Sequence, residues 1–243
     1  TCVLKHYNYE FFATQSAVDS MDHSLLEMLS WKHLLNNFFV AFLISAALSE
    51  ASTGCGLLYS LFYRVRTYEI ILNPMLRSKS PSEFWGRRWN VLVHRGLKNG
   101  VYKPTRKHTS SRLWAVLATF AVSGIIHEYV NYVMFSDQIV RNDYGDDDGS
   151  VSKNTMKHGP SYAYRFAWKQ MVFFGWNGVL ILLEYRIGHW AVFRWISHNL
   201  PQLVVTALVL CCALPLAHLF TGDWIKHGFF DAAYLTVPIL VCR

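Results

Sequence analysis

Long apolar runs constrain this chain more than any other feature. Residues 33–52, 113–135, 166–184 and 203–220 are each mainly apolar. Each is close to the ~20 residues a helix needs to cross a bilayer. A shorter run lies at 229–241. The stretch 54–72 is also apolar but carries Arg64 and Arg66, so it reads as tilted, interfacial or buried among other helices. Only 16% of residues are charged and 52% are hydrophobic, whereas an ordinary soluble domain has about 25% charged residues. The expected fold is all-α, a polytopic transmembrane helical bundle. A large soluble all-α domain is the alternative, and the run lengths count against it.

Polar connectors at 73–112, 136–165 and 186–202 separate the runs. The net charge of the whole chain is +7. Between Glu83 and Glu128 lie eight Lys/Arg (Arg87, Arg88, Arg95, Lys98, Lys103, Arg106, Lys107 and Arg112) and no acidic residue, so this segment accounts for the whole excess. The positive-inside rule puts 73–112 in the cytosol, the acidic loop around Asp146 across the membrane, and Arg186 and Arg194 back in the cytosol. Juxtamembrane basic clusters hold anionic lipid head groups or a phosphate-bearing donor, and charge alone does not separate the two. Nucleic-acid binding is disfavoured, because the basic run is wedged between apolar spans. The acidic loop 143–149 fails as an EF-hand: with Gly149 at the sixth position, Tyr144 and Thr155 stand where carboxylates are required, so a solvated turn is the better reading. The five cysteines show no C-x-x-C spacing, and neither a disulfide framework nor a metal site is expected. The chain opens on Thr1 without a leader pattern and reads as a fragment of something longer, with residues 1–72 a truncated N-terminal membrane segment.

His127 stands out because an ionisable side chain in a membrane span is expensive and functional by default. Glu128 adjoins it, and Asn131 shares its helical face. A neutral imidazole can take a proton from an alcohol near neutral pH. It can equally serve as a hydrogen-bond partner for a neighbouring helix, and composition leaves both open. Asn90 and His94 share another face, as do Trp85 and Trp89 with Arg88 beside them. Interfacial anchoring explains the tryptophans. It explains Asn90 less well, since an amide donor can stabilise negative charge developing on a carbonyl. A His-x-x-x-x-Asp spacing at His218 and Asp223 is weak, since eleven histidines make a chance match unsurprising.

The phrase Phe84-Trp85-Gly86-Arg87-Arg88-Trp89-Asn90, preceded by Ser80-Pro81-Ser82-Glu83, resembles the membrane-bound O-acyltransferase family, and the wax-synthase branch in particular. Trp89-Asn90-Val91-Leu92-Val93-His94 and His127-Glu128-Tyr129 also resemble the sterol and diacylglycerol branch. Phe174-Gly175-Trp176-Asn177-Gly178 is a weaker echo of that branch, and Leu214-Pro215-Leu216 is similar to the end of wax-synthase domains. The resemblance covers 73–243, taken as the acyltransferase domain. Arg87-Arg88-Trp89 departs from the acidic residue and paired tryptophans of the sterol branch.

The resemblance implies a multi-helix enzyme of the endoplasmic reticulum that takes acyl-coenzyme A from the cytosol. The expected acceptor is a long-chain alcohol, with a sterol or diacylglycerol as alternatives, and no metal or resident cofactor is implied. His127 matches the family's catalytic histidine and Asn90 the polar residue of its second motif. Glu128, Asn131 and His94 are expected in support. Trp85, Arg87, Arg88, Trp89 and Lys98 are expected to hold the donor. A different class remains as the alternative, a transporter or lipid-binding protein with His127 and Glu128 as a proton relay. The absence of an internal repeat counts against it.

Overall fold

A computed structural model describes residues 28–143 and 168–226, with side chains described for 28–134 and 168–224. Every element there is helical, with no strand among the described residues. The run at 229–241 and the loop residues 144–149, with the calcium reading placed on them, lie outside the described residues.

Helix α1 (Trp31–Tyr63) starts where the Ser30 hydroxyl accepts from His33 N. It absorbs both the predicted span at 33–52 and half of the run at 54–72. Arg64 and Arg66 therefore lie beyond the helix rather than within it, and Arg64 closes it in the left-handed region at φ 52°. Two helices among the described residues are long and apolar enough to cross a membrane: α1, and Arg112–Met134 within α6 (Arg112–Asp143).

The predicted span at 166–184 becomes α7 (Lys169–Ile187). It falls short in apolarity because Gln170, Asn177, Glu184 and Arg186 lie on it. Gln170, Asn177, Phe173 and Phe174 are buried, so one face of α7 packs into the bundle. The predicted span at 203–220 is not one straight helix. It breaks into α9 (Gln202–Ala213), a 3₁₀ turn (Leu214–Leu216) and α10 (His218–Lys226), with the two limbs bent by 67°. Pro215 supplies the reason: it has no N–H to continue the helix and its ring clashes with the preceding turn. The carbonyls freed at the break are held by α1, where Asn37 Nδ2 donates to Leu214 O at 3.1 Å and His33 Nε2 lies 3.1 Å from Pro215 O.

Short elements connect α1 to α6: α2 (Pro74–Arg77), α3 (Pro81–Glu83), a π turn (Phe84–Arg88), α4 (Val91–Leu97), a second π turn (Lys98–Tyr102) and α5 (Lys103–Thr109). Backbone bonds from Leu72 N to Arg88 O and from Val91 N to Ile70 O, each 2.9 Å, hold this segment to the residues before it. Helix α8 (Ala191–Asn199) joins α7 to α9.

Helices α6 and α7 approach closely at Gly124. A Cβ there would lie 3.0 Å from Met171 Cα, so only glycine permits this approach. Val40, Ile44, Met75, Phe84, Phe173, Phe174, Leu210 and Phe220 form one apolar core. It is drawn from α1, α2, the first π turn, α7, α9 and α10.

Candidate active site

The site is built from the short elements and α6 upward. Ser80 caps α3 by accepting from Glu83 N at 3.2 Å, and the Glu83 carboxylate reaches back to Lys79 N at 2.9 Å. This is a variant of the Ser-x-x-Glu capping box, with the Glu83 carboxylate accepting from the residue before the cap rather than from Ser80 N. Glu184 of α7 accepts from both Ser82 N and Ser82 Oγ at 2.7 Å, fixing the start of α3 against the bundle.

From Phe84 the chain widens into a π turn, closed by Trp89 N donating to Phe84 O at 2.9 Å. Such turns are rare and recur at functional sites. Asn90 then takes an extended conformation, and its Oδ1 accepts from Val93 N at 3.0 Å, capping α4. With the carbonyl side committed to the cap, the Asn90 NH₂ is left as a donor.

Trp85, Trp89, Asn90, His94 and Lys98 therefore do not lie on one continuous helix, yet all five line one cavity of about 750 Å³. His127, Ser123, Phe120 and Arg112 of α6 line it too, with Phe174 of α7, Phe220 of α10, and Ile44, Ala47, Leu48 and Ala51 of α1. The volume suits a drug-sized or larger ligand. At its basic part, the Arg112 guanidinium stacks 3.9 Å from the Tyr185 ring centroid, with Lys98 and Tyr102 also on the wall. Burial and the Lys98 charge hold His94 below its usual pKa, so it is neutral at pH 7.

His127 Nδ1 lies 2.7 Å from Ser123 O, one turn back on α6. A carbonyl only accepts, so Nδ1 carries the hydrogen and Nε2 keeps the lone pair. The ring is flanked by Phe174, with centroids 4.4 Å apart and planes 33° apart, and by Phe220 at 5.6 Å. Glu128 and Asn131, the neighbours expected to orient it, are engaged elsewhere. Glu128 accepts from Gln170 N at 2.8 Å, and Asn131 Nδ2 lies 3.5 Å from Asp223 Oδ2. They tie α6 to α7 and α10, while the Ser123 carbonyl fixes the imidazole.

The residues expected to hold a donor divide. Arg88 bonds the Glu83 carboxylate at 2.6 and 2.8 Å and Leu72 O at 3.1 Å, which makes it part of the fold rather than of the cavity wall. Arg87 is exposed and also off the wall. Trp85 is not a simple interfacial anchor, because its Nε1 donates to Asn177 Oδ1 at 2.9 Å within a cluster of Phe84, Trp89, Phe120, Phe173 and Phe174. Sequence reading placed Arg112 in the basic run but missed its stacking on Tyr185, the paired phenyl rings, and the Lys169–Asp223 ion pair at 3.2 Å. The His218–Asp223 spacing does not form a catalytic pair: His218 Nδ1 lies 3.0 Å from Pro215 O, and the carboxylate bonds Lys169.

Fold and site together define a helical membrane protein with a partly buried imidazole on an aromatic-walled cavity. Residues 68–143 match the model of the membrane bound O-acyl transferase family. Among curated relatives, a probable long-chain-alcohol O-fatty-acyltransferase 9 of Arabidopsis thaliana is 31% identical over 137 residues, covering 54% of this chain and 35% of the relative. An acyl-CoA–sterol O-acyltransferase 1 of the same plant is 31% identical over 147 residues, covering 56% and 35%. A probable long-chain-alcohol O-fatty-acyltransferase 2 is 25% identical over 166 residues, covering 65% and 38%. The chain thus spans about a third of the length of these relatives. No solved structure matches it. The chain is thus similar, over residues 68–143, to the membrane bound O-acyl transferase family, and its relatives include several long-chain-alcohol O-fatty-acyltransferases.

Proposed function

We propose that this chain carries the acyl-transfer centre of an enzyme of the endoplasmic reticulum that moves a fatty acyl group from acyl-coenzyme A to a long-chain alcohol. The observation that carries the reading is His127: a single tautomer, set by Ser123 O, on the wall of a cavity that also reaches Lys98 and Arg112. Nε2 takes the proton of the acceptor hydroxyl. The oxygen attacks the thioester carbonyl, the C–O bond forms, the C–S bond breaks, and the proton passes to the leaving thiolate. The products are an ester and coenzyme A. The Asn90 NH₂ stands as donor to the carbonyl oxygen as negative charge develops. His94, being neutral, supports this site without adding a charge to the wall.

Lys98 and Arg112 take the phosphates of the donor at the cytosolic end, and Trp85 and Trp89 contribute apolar wall. Holding a water-soluble donor and a membrane-dissolved acceptor in one cavity supplies much of the rate gain. In the proton-relay alternative Glu128 would pass protons with His127; its carboxylate accepts from Gln170 N.

The test is radiolabelled acyl-coenzyme A with membranes containing the full-length protein and, in parallel, a fatty alcohol, a sterol and a diacylglycerol. Wax ester is the expected product. Sterol ester alone would overturn the acceptor, as the sterol acyltransferase relative makes a real alternative. His127→Ala should lower transfer at least about 100-fold, the low end of general acid–base effects. Near-normal transfer by that variant would overturn the role of His127.

A further inference from the structure

We infer that Phe174 is a positioning residue that stabilises His127 in its charged form during transfer, a step beyond the base role on which the inference rests. A base that takes a proton inside an apolar bundle becomes an imidazolium, and a buried cation needs compensation. Enzymes often place a carboxylate beside such a histidine. Among the described residues none hydrogen-bonds this ring: Glu128 accepts from Gln170 N, and Asp223 is bonded by Lys169 and Asn131. The imidazole instead has the Ser123 carbonyl at one nitrogen and two phenyl rings around it.

The two rings are not equivalent. Phe174 lies 4.4 Å away and only 33° from parallel, so it presents its face to the imidazole. Phe220 lies 5.6 Å away at 64°, closer to an edge contact. An aromatic face carries the negative lobes of the ring quadrupole and attracts a cation within about 6 Å of its centroid. Phe174 is 2% exposed and is packed by Trp85 at 5.7 Å, Phe173 at 5.2 Å and Phe220 at 5.9 Å. Its face is therefore held in place before the proton moves. The neutral imidazole gains little from it and the imidazolium gains more. This is the differential interaction that accelerates a chemical step rather than binding.

The test separates the quadrupole from shape. Phe174 is replaced by 4-fluoro-, 3,5-difluoro- and 3,4,5-trifluorophenylalanine through suppression of a nonsense codon in the full-length protein. Fluorine withdraws density from the face while nearly preserving volume. Single-turnover transfer from acyl-coenzyme A to a fatty alcohol is then measured. The rate constant should fall stepwise with each added fluorine, reaching about 2- to 30-fold in total, while the KM for acyl-coenzyme A stays unchanged. Phe174→Leu should show the same loss, with thermal stability in detergent checked alongside. A rate constant flat across the fluorinated series would overturn the inference and leave Phe174 a packing residue. So would a rise in KM at constant rate, which would mean that the ring contacts substrate. Failure of the base role itself reads out separately, as activity retained by His127→Ala.

Discussion

The indole of Trp85 should contribute to this protein through its hydrogen bond to Asn177 more than through contact with the donor. Nε1 donates to Asn177 Oδ1 at 2.9 Å, and Asn177, 1% exposed, uses its own NH₂ on Phe173 O. Trp85→Phe removes the donor and leaves a buried carbonyl oxygen with no partner. Asn177→Leu removes the acceptor and leaves a buried N–H. An unsatisfied buried group costs about 1–3 kcal/mol, whereas removing both partners together is nearly neutral for the hydrogen bond itself. Each single variant should therefore lose about 1–3 kcal/mol, and the double variant should fall short of the summed loss by at least about 1 kcal/mol.

Equilibrium unfolding in mixed detergent micelles, run on all four proteins, measures that coupling. Losses that add to within about 0.3–0.5 kcal/mol would refute the reasoning, since that is what independent sites show. The same four proteins test the assignment of Trp85 to donor binding. The indole N–H is already used, and the phenyl ring preserves an aromatic wall. The KM for acyl-coenzyme A in Trp85→Phe should accordingly change by less than about threefold, or ~0.7 kcal/mol.

Three further outcomes follow from the structure. Burial raises the Glu83 pKa, but the Lys79 N–H and the Arg88 guanidinium outweigh it and hold the carboxyl below its ordinary 4.5. The stability it contributes is therefore complete above pH 4.5 and is lost as pH falls through the lower folded value. Glu83→Gln should flatten that part of a stability–pH curve, and a curve unchanged from wild type would refute this. Asp223→Ala removes the carboxylate 3.2 Å from the half-buried Lys169 ammonium and should cost about 1.5–3 kcal/mol in detergent unfolding, the scale of a hydrogen bond to a charged group; an unchanged unfolding midpoint would refute this. Ala47→Leu fills part of the α1 wall of the cavity. At about 0.8 kcal/mol per buried methylene, displacing two should shift preference toward shorter chains by about tenfold or more in a competition among fatty alcohols, and an unchanged product profile would remove α1 from the gauge.

How much of this was legible depends on whether a signal was local. The apolarity of α1 and α6 is local, and both were found. The carbonyl that fixes His127 is also local, only four residues away, but backbone carbonyls leave no mark in composition. Arg88 shows how a local signal misleads. Its partner Glu83 is five residues back, a spacing that an α-helix puts on different faces and the π turn brings together, so its charge read as free for a ligand. Other pairings were beyond reach because they join distant segments: Asn37 to Leu214, Trp85 to Asn177, and Asn131 to Asp223. The same distance explains why the cavity was legible only in part. The motif residues Trp89, Asn90, His94 and His127 could be named singly, but the rings that enclose His127 come from α7 and α10. What makes the imidazole a candidate base is that enclosure, with a carbonyl at one nitrogen, a phenyl face beside the ring and no carboxylate bonded to it among the described residues.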